Sequence, residues 1–279
     1  MNFPSGGHRP SGGTLPDMKE ITSAGNAAVR QLVRLREKSS ERRASGTFIA
    51  EGERLVLDTP SAFLQEIYVT RETYERLEDR LPGSAAVTIL SEAAMAKASG
   101  TQSPQGVLAV VSRPTWDLSD LVSGQAPLVV MLEDIQDPGN LGTIFRTAEA
   151  AGAGGVVLTK GTVDLFNPKT VRATMSSLFR VPFVTAENLP EVIRGFREQY
   201  GIRTHAACPD ADALSYTAAD YRGPCAFAIG NEGNGLSADT AAAADDTVYI
   251  PMAGRIESLN AAVSASILMY EAARLRNFR

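Results

Sequence analysis

Three short segments in the second half of the chain gather the residues best able to do chemistry. They are NLGTIFRTAEAAG (140–152) with Asn140 and Arg146, FAIGNEGNGLS (227–237) with Glu232, and IPMAGRIESLNAAVSASILMYEAA (250–273) with Ser258 and Asn260. Arg146 offers a planar fork of donors that could grip a phosphate or an attacking oxygen; because guanidinium stays protonated in proteins, its expected role is electrostatic and positional. Glu232 offers a carboxylate that could order that arginine or a substrate. Asn140 is predicted to cap the helix LGTIFRTAEAA, and Ser258 to cap a long terminal helix running to about Asn277. Asn260 would then lie in that helix's first turn, where free N–H groups and the positive dipole end favour an anion or polar ligand. Gly230, Gly233 and Gly235 permit close backbone approach at the end of an apolar strand, CAFAI, and ligands of α/β sheets bind at such strand ends. Each segment alone also has a plain structural reading: Arg146 paired with Glu149, a glycine-rich tight turn, and a serine cap with no further role.

The elements that position these residues follow a strand–helix rhythm. PLVVMLE, GVVLTK, VPFV, IRTHAA, PCAFAIG and TVYIP read as strands, and LGTIFRTAEAA, NPKTVRATMSSLF and LPEVIRGFREQY as helices between them. This pattern predicts an α/β fold, a mainly parallel sheet with helices on both faces. Upstream, TFIAEGERLVLD, FLQEIYVT, ETYERLEDRL, VTILSEAAMAKAS and GVLAVVSR form a smaller α/β module. The expected division is a flexible tail at 1–17, a module at 18–113, a linker at 114–126 within RPTWDLSDLVSGQAP (113–127), and a second domain at 127–279.

Length and charge narrow the function. A chain of 279 residues can bury a sizeable core, and its longest apolar stretch, PLVVML, is far too short to span a membrane. No secretory signal is read at the N-terminus, so a cytoplasmic protein is expected. Cys208 and Cys225 have no CxxC spacing, so neither a disulfide framework nor a metal site is expected. The net charge is −5, yet six basic residues face two acidic ones between Arg30 and Arg43. An amphipathic helix is expected from Asn26 to Lys38, and Arg30, Arg34, Lys38, Arg42 and Arg43 are the expected basic patch for nucleic acid, the plain alternative being a solvated helix face. The spacing GxxGxG does not match the dinucleotide fingerprint GxGxxG, and LSADTAAAADD follows it, so a nicotinamide-dependent oxidoreductase is disfavoured.

In order and spacing, the three segments resemble the signature motifs of the SpoU (TrmH) branch of the SPOUT methyltransferases. NPKTVRATMSSLFRVPF is similar to the family's stretch between its first two motifs, and GTFIAEGERLVLD and SPQGVLAVV resemble the ends of an L30e-like substrate-binding domain. The resemblance implies transfer of a methyl group from S-adenosylmethionine to a ribose 2′-hydroxyl of structured RNA. Ribosomal RNA is favoured over tRNA, because the separate L30e-like module is similar to the arrangement in ribosomal RNA modifiers. By this resemblance the catalytic residues are Asn140, Arg146, Glu232, Ser258 and Asn260. Cofactor binding falls to Ala228, Ile229, Gly230, Gly233, Ile250, Pro251, Met252 and Leu259, largely through main-chain groups. The resemblance further implies a deep trefoil knot at the C-terminus and a homodimer whose site is completed across the interface. A tRNA-specific enzyme and a non-catalytic knotted RNA-binding protein are the alternatives.

Overall fold

A computed structural model describes residues 18–101, 103–208 and 213–278; the tail expected at 1–17 lies outside them. The first module runs β1 (Glu20–Ile21), α1 (Ala27–Glu37), α2 (Ser39–Ser45), β2 (Thr47–Glu51), α3 (Glu53–Asp58), β3 (Leu64–Thr70), α4 (Arg71–Leu77), β4 (Ala86–Leu90), α5 (Glu92–Ala98) and β5 (Val107–Ser112). Its strands form one sheet in the order β1-β4-β3-β5-β2, with β5 antiparallel to both β2 and β3. Alternation along the strands decides which side chain goes to which face. Ile49, Tyr68 and Leu108 pack with Val29, Leu32 and Leu35 of α1 and with Met95 of α5. Phe48, Ala50, Ile67, Val69 and Ala109 turn to the other face.

The second domain runs β6 (Leu128–Leu132), α7 (Pro138–Ala150), β7 (Gly155–Thr159), α8 (Pro168–Ala173), β8 (Phe183–Ala186), α9 (Leu189–Tyr200), β9 (Arg203–Ala207), β10 (Leu214–Ser215), β11 (Cys225–Ile229), α10 (Ala238–Ala243), β12 (Asp246–Tyr249) and α11 (Ala261–Leu275), with α6 (Leu118–Leu121) ahead of it. Its sheet is parallel at every pairing, in the order β10-β12-β9-β11-β6-β7-β8. Helices cover both faces, as the near-continuous apolar strands require. Val130, Leu132, Phe227 and Ile229 share a cluster with residues of α7 and α11, while Val129, Met131, Ala226 and Ala228 share one with α9.

Expectations about the helix caps need correction. Asp137, not Asn140, caps α7: its carboxylate accepts the Asn140 N–H at 2.8 Å, and Pro138 opens the helix without losing a needed donor. Ser258 does not cap α11; Asn260 does, its Oδ1 accepting the N–H groups of Ala262 and Val263 at 2.9 and 3.2 Å. LSADTAAAADD contains α10, capped by Ser237. Between the two modules, Asp117 and Asp120 form a capping box around α6, and fully buried Leu121 seats against Gly155, where an added Cβ would lie 2.3 Å from the leucine Cγ.

The two modules share one core. The Phe48 ring lies 4.9 Å from Phe166 and 6.1 Å from Phe179, which also stacks on Phe63. Arg42 of α2, only 3% exposed, donates from Nε and Nη2 to Asp164 Oδ2 at 2.9 and 2.6 Å, and from Nη1 to the carbonyls of Leu35 and Arg36. Among the described residues, no helix is long and apolar enough to cross a membrane.

Candidate active site

β6 and β11 are neighbours in the sheet, and the loops leaving their carboxyl ends meet where the strand order turns back on itself. Such a crevice is where open α/β sheets hold ligands. The loop after β11 folds as a small hairpin, with Asn231 and Gly235 exchanging backbone hydrogen bonds at 3.1 and 2.9 Å. Asn231 builds the turn by accepting the N–H groups of Gly233 and Asn234 on Oδ1. Gly230 is obligatory at its base, since an added Cβ would lie 2.1 Å from the Gly235 carbonyl carbon and 2.2 Å from the Leu236 nitrogen.

That hairpin aims Glu232 at the start of α7. Its carboxylate accepts the Gln136 N–H at 3.1 Å, the Asp137 N–H at 3.2 Å and the Asn140 side-chain amide at 2.8 Å. Two of these are main-chain donors at the N-cap Asp137 and the residue before it, beside the positive end of α7 where a negative charge is favoured. Partial desolvation pushes the Glu232 carboxyl up, but donation from Asn140, Gln136 and Asp137 outweighs it and holds the group below the ordinary carboxylate range. Asn140 carries the chain onward: its Oδ1 accepts the Asn260 amide at 2.9 Å. One residue from each segment thus enters a single line, Glu232 to Asn140 to Asn260. The displacement of the cap from Asn140 to Asp137 is what leaves the Asn140 amide available for it.

Arg146 stands outside that line. It is exposed on α7 and its side chain makes no hydrogen bond or ion pair among the described residues, while Glu149 is taken by Arg180. Six residues along the helix place it about 9 Å from Asn140 along the axis. Ser258 is exposed and enters no hydrogen bond among the described residues.

The remaining loop runs from β12 back across the sheet to reach Asn260. Residues 251–259 make no hydrogen bond with other described residues. A run of free main-chain donors and acceptors beside half-buried Ile250, Met252 and Leu259 suits a ligand with an apolar body and polar edges, and Ala228 and Ile229 are buried at the end of β11. Pro251 and Gly233 are exposed at its margins.

Sequence reasoning missed the supports of this site. Glu133 accepts the Ser237 N–H and hydroxyl at 2.7 and 2.8 Å and the Thr240 hydroxyl at 2.6 Å, clasping the far side of the hairpin. Asn231, given no role from sequence, also donates to the Asp134 carbonyl at 2.7 Å. The only signal for either was position, directly after an apolar strand.

The basic segment is not a uniform face. Lys38 and Arg43 are exposed and unpaired among the described residues; Arg30 donates to the Gly25 carbonyl, and Arg34 to Gln31 with Glu41 4.0 Å away. Arg42 is removed from the RNA-facing set, because its whole fork is spent inside the protein.

Residues 127–270 match the SpoU rRNA Methylase family, and residues 26–109 match the MRM3-like substrate binding domain. The chain belongs to the SpoU rRNA methylase family. It is 38% identical to the 23S rRNA (guanosine(2553)-2′-O)-methyltransferase RlmP of Bacillus subtilis, over 91% of this chain and 98% of that protein. It also resembles the AdoMet-bound rRNA methyltransferase from Sinorhizobium meliloti, with a TM-score of 0.82 and 32% identity over 92% of this chain and 98% of that one. The SpoU methyltransferase AviRb from Streptomyces viridochromogenes, also solved with AdoMet, superposes with a TM-score of 0.81 at 28% identity, over 90% and 98% of the two chains.

Proposed function

We propose that this protein transfers a methyl group from S-adenosylmethionine to a ribose 2′-hydroxyl of ribosomal RNA. The carrying observation is the hydrogen-bonded line Glu232–Asn140–Asn260, which joins all three segments at one strand-end crevice. The family and the relatives that act on 23S rRNA support ribosomal RNA over tRNA.

When bound, the cofactor supplies a methyl group on a sulfonium centre. The residues supply position and field, which is what a weakly nucleophilic hydroxyl requires. In this reading the 250–260 loop and the end of β11 hold the cofactor, Glu232 and Asn260 fix the Asn140 amide, and Arg146 provides the cation beside the reacting ribose. The separation of Arg146 from the line supports a homodimer in which the site is completed by a second copy. The exposed Val263 and Tyr270 of α11, with Phe278 beyond it, provide an apolar face for that contact. The family membership supports a knotted C-terminus, and a cytoplasmic location fits the bacterial 23S rRNA relatives.

The test is incubation of purified protein with radiolabelled S-adenosylmethionine and separated ribosomal RNA and tRNA from cells lacking the protein. Alkali-resistant label in ribosomal RNA is expected; label confined to tRNA would overturn the substrate assignment. Arg146→Ala should abolish transfer and leave cofactor affinity nearly unchanged, and full activity in that variant would remove its role.

A further inference from the structure

We propose that the junction between the two modules holds a backbone phosphate of the RNA, gripped by Arg113 and Arg43; this rests on the reading that RNA is the substrate. Arg113 follows β5, and its backbone N–H bonds the Gly46 carbonyl at 2.9 Å, which sets it beside the end of α2, where Arg42 and Arg43 lie. Its guanidinium carbon sits 4.3 Å from the centroid of Phe166, a residue of the second domain. The ring fixes the plane of the fork from one side, as cation–π stacking does. The side chain is half-buried, yet the guanidinium has no acceptor among the described residues. A partly desolvated fork of five donors without an acceptor is an incomplete arrangement, and a phosphate completes it bidentately.

The local charge has the same sense. Three guanidinium groups act at this junction against one carboxylate, Asp164, and Arg42 already occupies that carboxylate with two hydrogen bonds. Asp164 partly offsets Arg113, but its hydrogen bonds go to Arg42, so Arg43 and Arg113 leave the junction net positive. Burial, together with the fields of Arg43 and Arg42, pushes the Arg113 guanidinium down against the opposing pull of Asp164.

The site is also connected to the crevice. Asp164 and Phe166 belong to the loop that leaves β7, and this loop is tied to the turn after β6: the Val163 N–H bonds the Ile135 carbonyl at 2.8 Å, and the Gln136 side chain donates to the Gly161 carbonyl at 2.6 Å. Gln136 in turn donates its backbone N–H to Glu232. The junction and the Glu232–Asn140–Asn260 line are thus tied together through the loops that leave β6 and β7.

The test measures binding of a fluorescent structured ribosomal RNA fragment to the full chain between 50 and 200 mM salt. Loss of one phosphate contact in the Arg43→Gln/Arg113→Gln double variant should make the slope of log affinity against log salt shallower by about 0.7 to 0.9. The affinity loss at 50 mM should then exceed that at 200 mM by about threefold. Arg113→Lys should keep the slope and weaken affinity, because charge remains while the stacked fork is lost; wild-type affinity in that variant would overturn the fork geometry. Cofactor affinity and melting temperature establish that each variant is folded, and Arg43→Gln alone, at an exposed position, should weaken affinity at 50 mM salt if the double variant is not; unchanged affinity there would overturn the shared grip. A salt-dependent wild type with an unchanged slope in folded variants overturns the junction site and leaves the RNA reading standing. A wild type that binds no RNA overturns both.

Discussion

Glu232 is exposed as a residue, yet three donors converge on its carboxylate, so its charge does more than its burial suggests. Because its folded pKa is depressed, the ordering it provides is fully present above the unfolded value of roughly 4.3 and is lost as pH falls through the lower folded value. Cofactor affinity should therefore show no Glu232-linked change between pH 5 and 8 and fall only in acid, which calorimetric titration across that range would check. Glu232→Gln places an amide against N–H groups that need an acceptor. Hydrogen bonds to charged groups are worth about 1.5–3 kcal/mol, so kcat should drop roughly tenfold to a hundredfold at neutral pH. Wild-type kcat in a folded Glu232→Gln protein would mean that the line through Asn140 does not position the reacting groups. Glu232, Asn140 and Asn260 were legible in the sequence as a set because their order and spacing are distinctive. Their connectivity was not, since a hydrogen bond between residues 92 or 120 positions apart leaves no mark in local pattern.

Among the elements, those most clearly written in the sequence are the ones whose burial is strictly periodic. LPEVIRGFREQY folds as α9 over the whole expected span, with Leu189, Ile193 and Phe196 on its buried face and Gly201 in the left-handed conformation ending it. Short elements defined by caps were harder to read. NPKTVRATMSSLF is one apolar-periodic stretch, but its helix stops at Ala173, and Met175 and Ser176 take positive φ before a single 3-10 turn. The Pro-, Gly- and Ser-rich composition of 113–127 reads as linker, and the deciding contact, Leu121 against Gly155, is tertiary. Leu121→Ala should cost about 2–5 kcal/mol and expose 114–126 to limited proteolysis. An unchanged melting temperature with continued protection would show that α6 is held by its capping box alone.

At the scale of the whole molecule, the modules form one body because their contact is apolar, aromatic and pinned by a buried ion pair. Asp164→Asn should destabilise the chain by about 3 kcal/mol, since it leaves buried Arg42 without its counter-charge, and Arg42→Met by less, because Asp164 is partly exposed. If the substrate reading holds, the same variants should raise KM for RNA more than they lower kcat and leave cofactor affinity unchanged. Equal loss in kcat and no change in KM would place the effect in the catalytic domain. Neither partner announces this in sequence: Arg42 sits in a run of bases that reads as an RNA-facing surface, and Asp164 lies in a loop 122 residues away.

The shared aromatic core also sets a length. With Phe48, Phe166 and Phe179 packed into a single cluster and Arg42 locking α2 to the β7 loop, the first module cannot swing toward or away from the crevice at the ends of β6 and β11. The separation between where an RNA is held and where its ribose reacts is thus built in, like the gap of a fixed caliper. Target choice then falls to the RNA's own fold: only a nucleotide that its structure presents at that one span from the gripped segment can be reached.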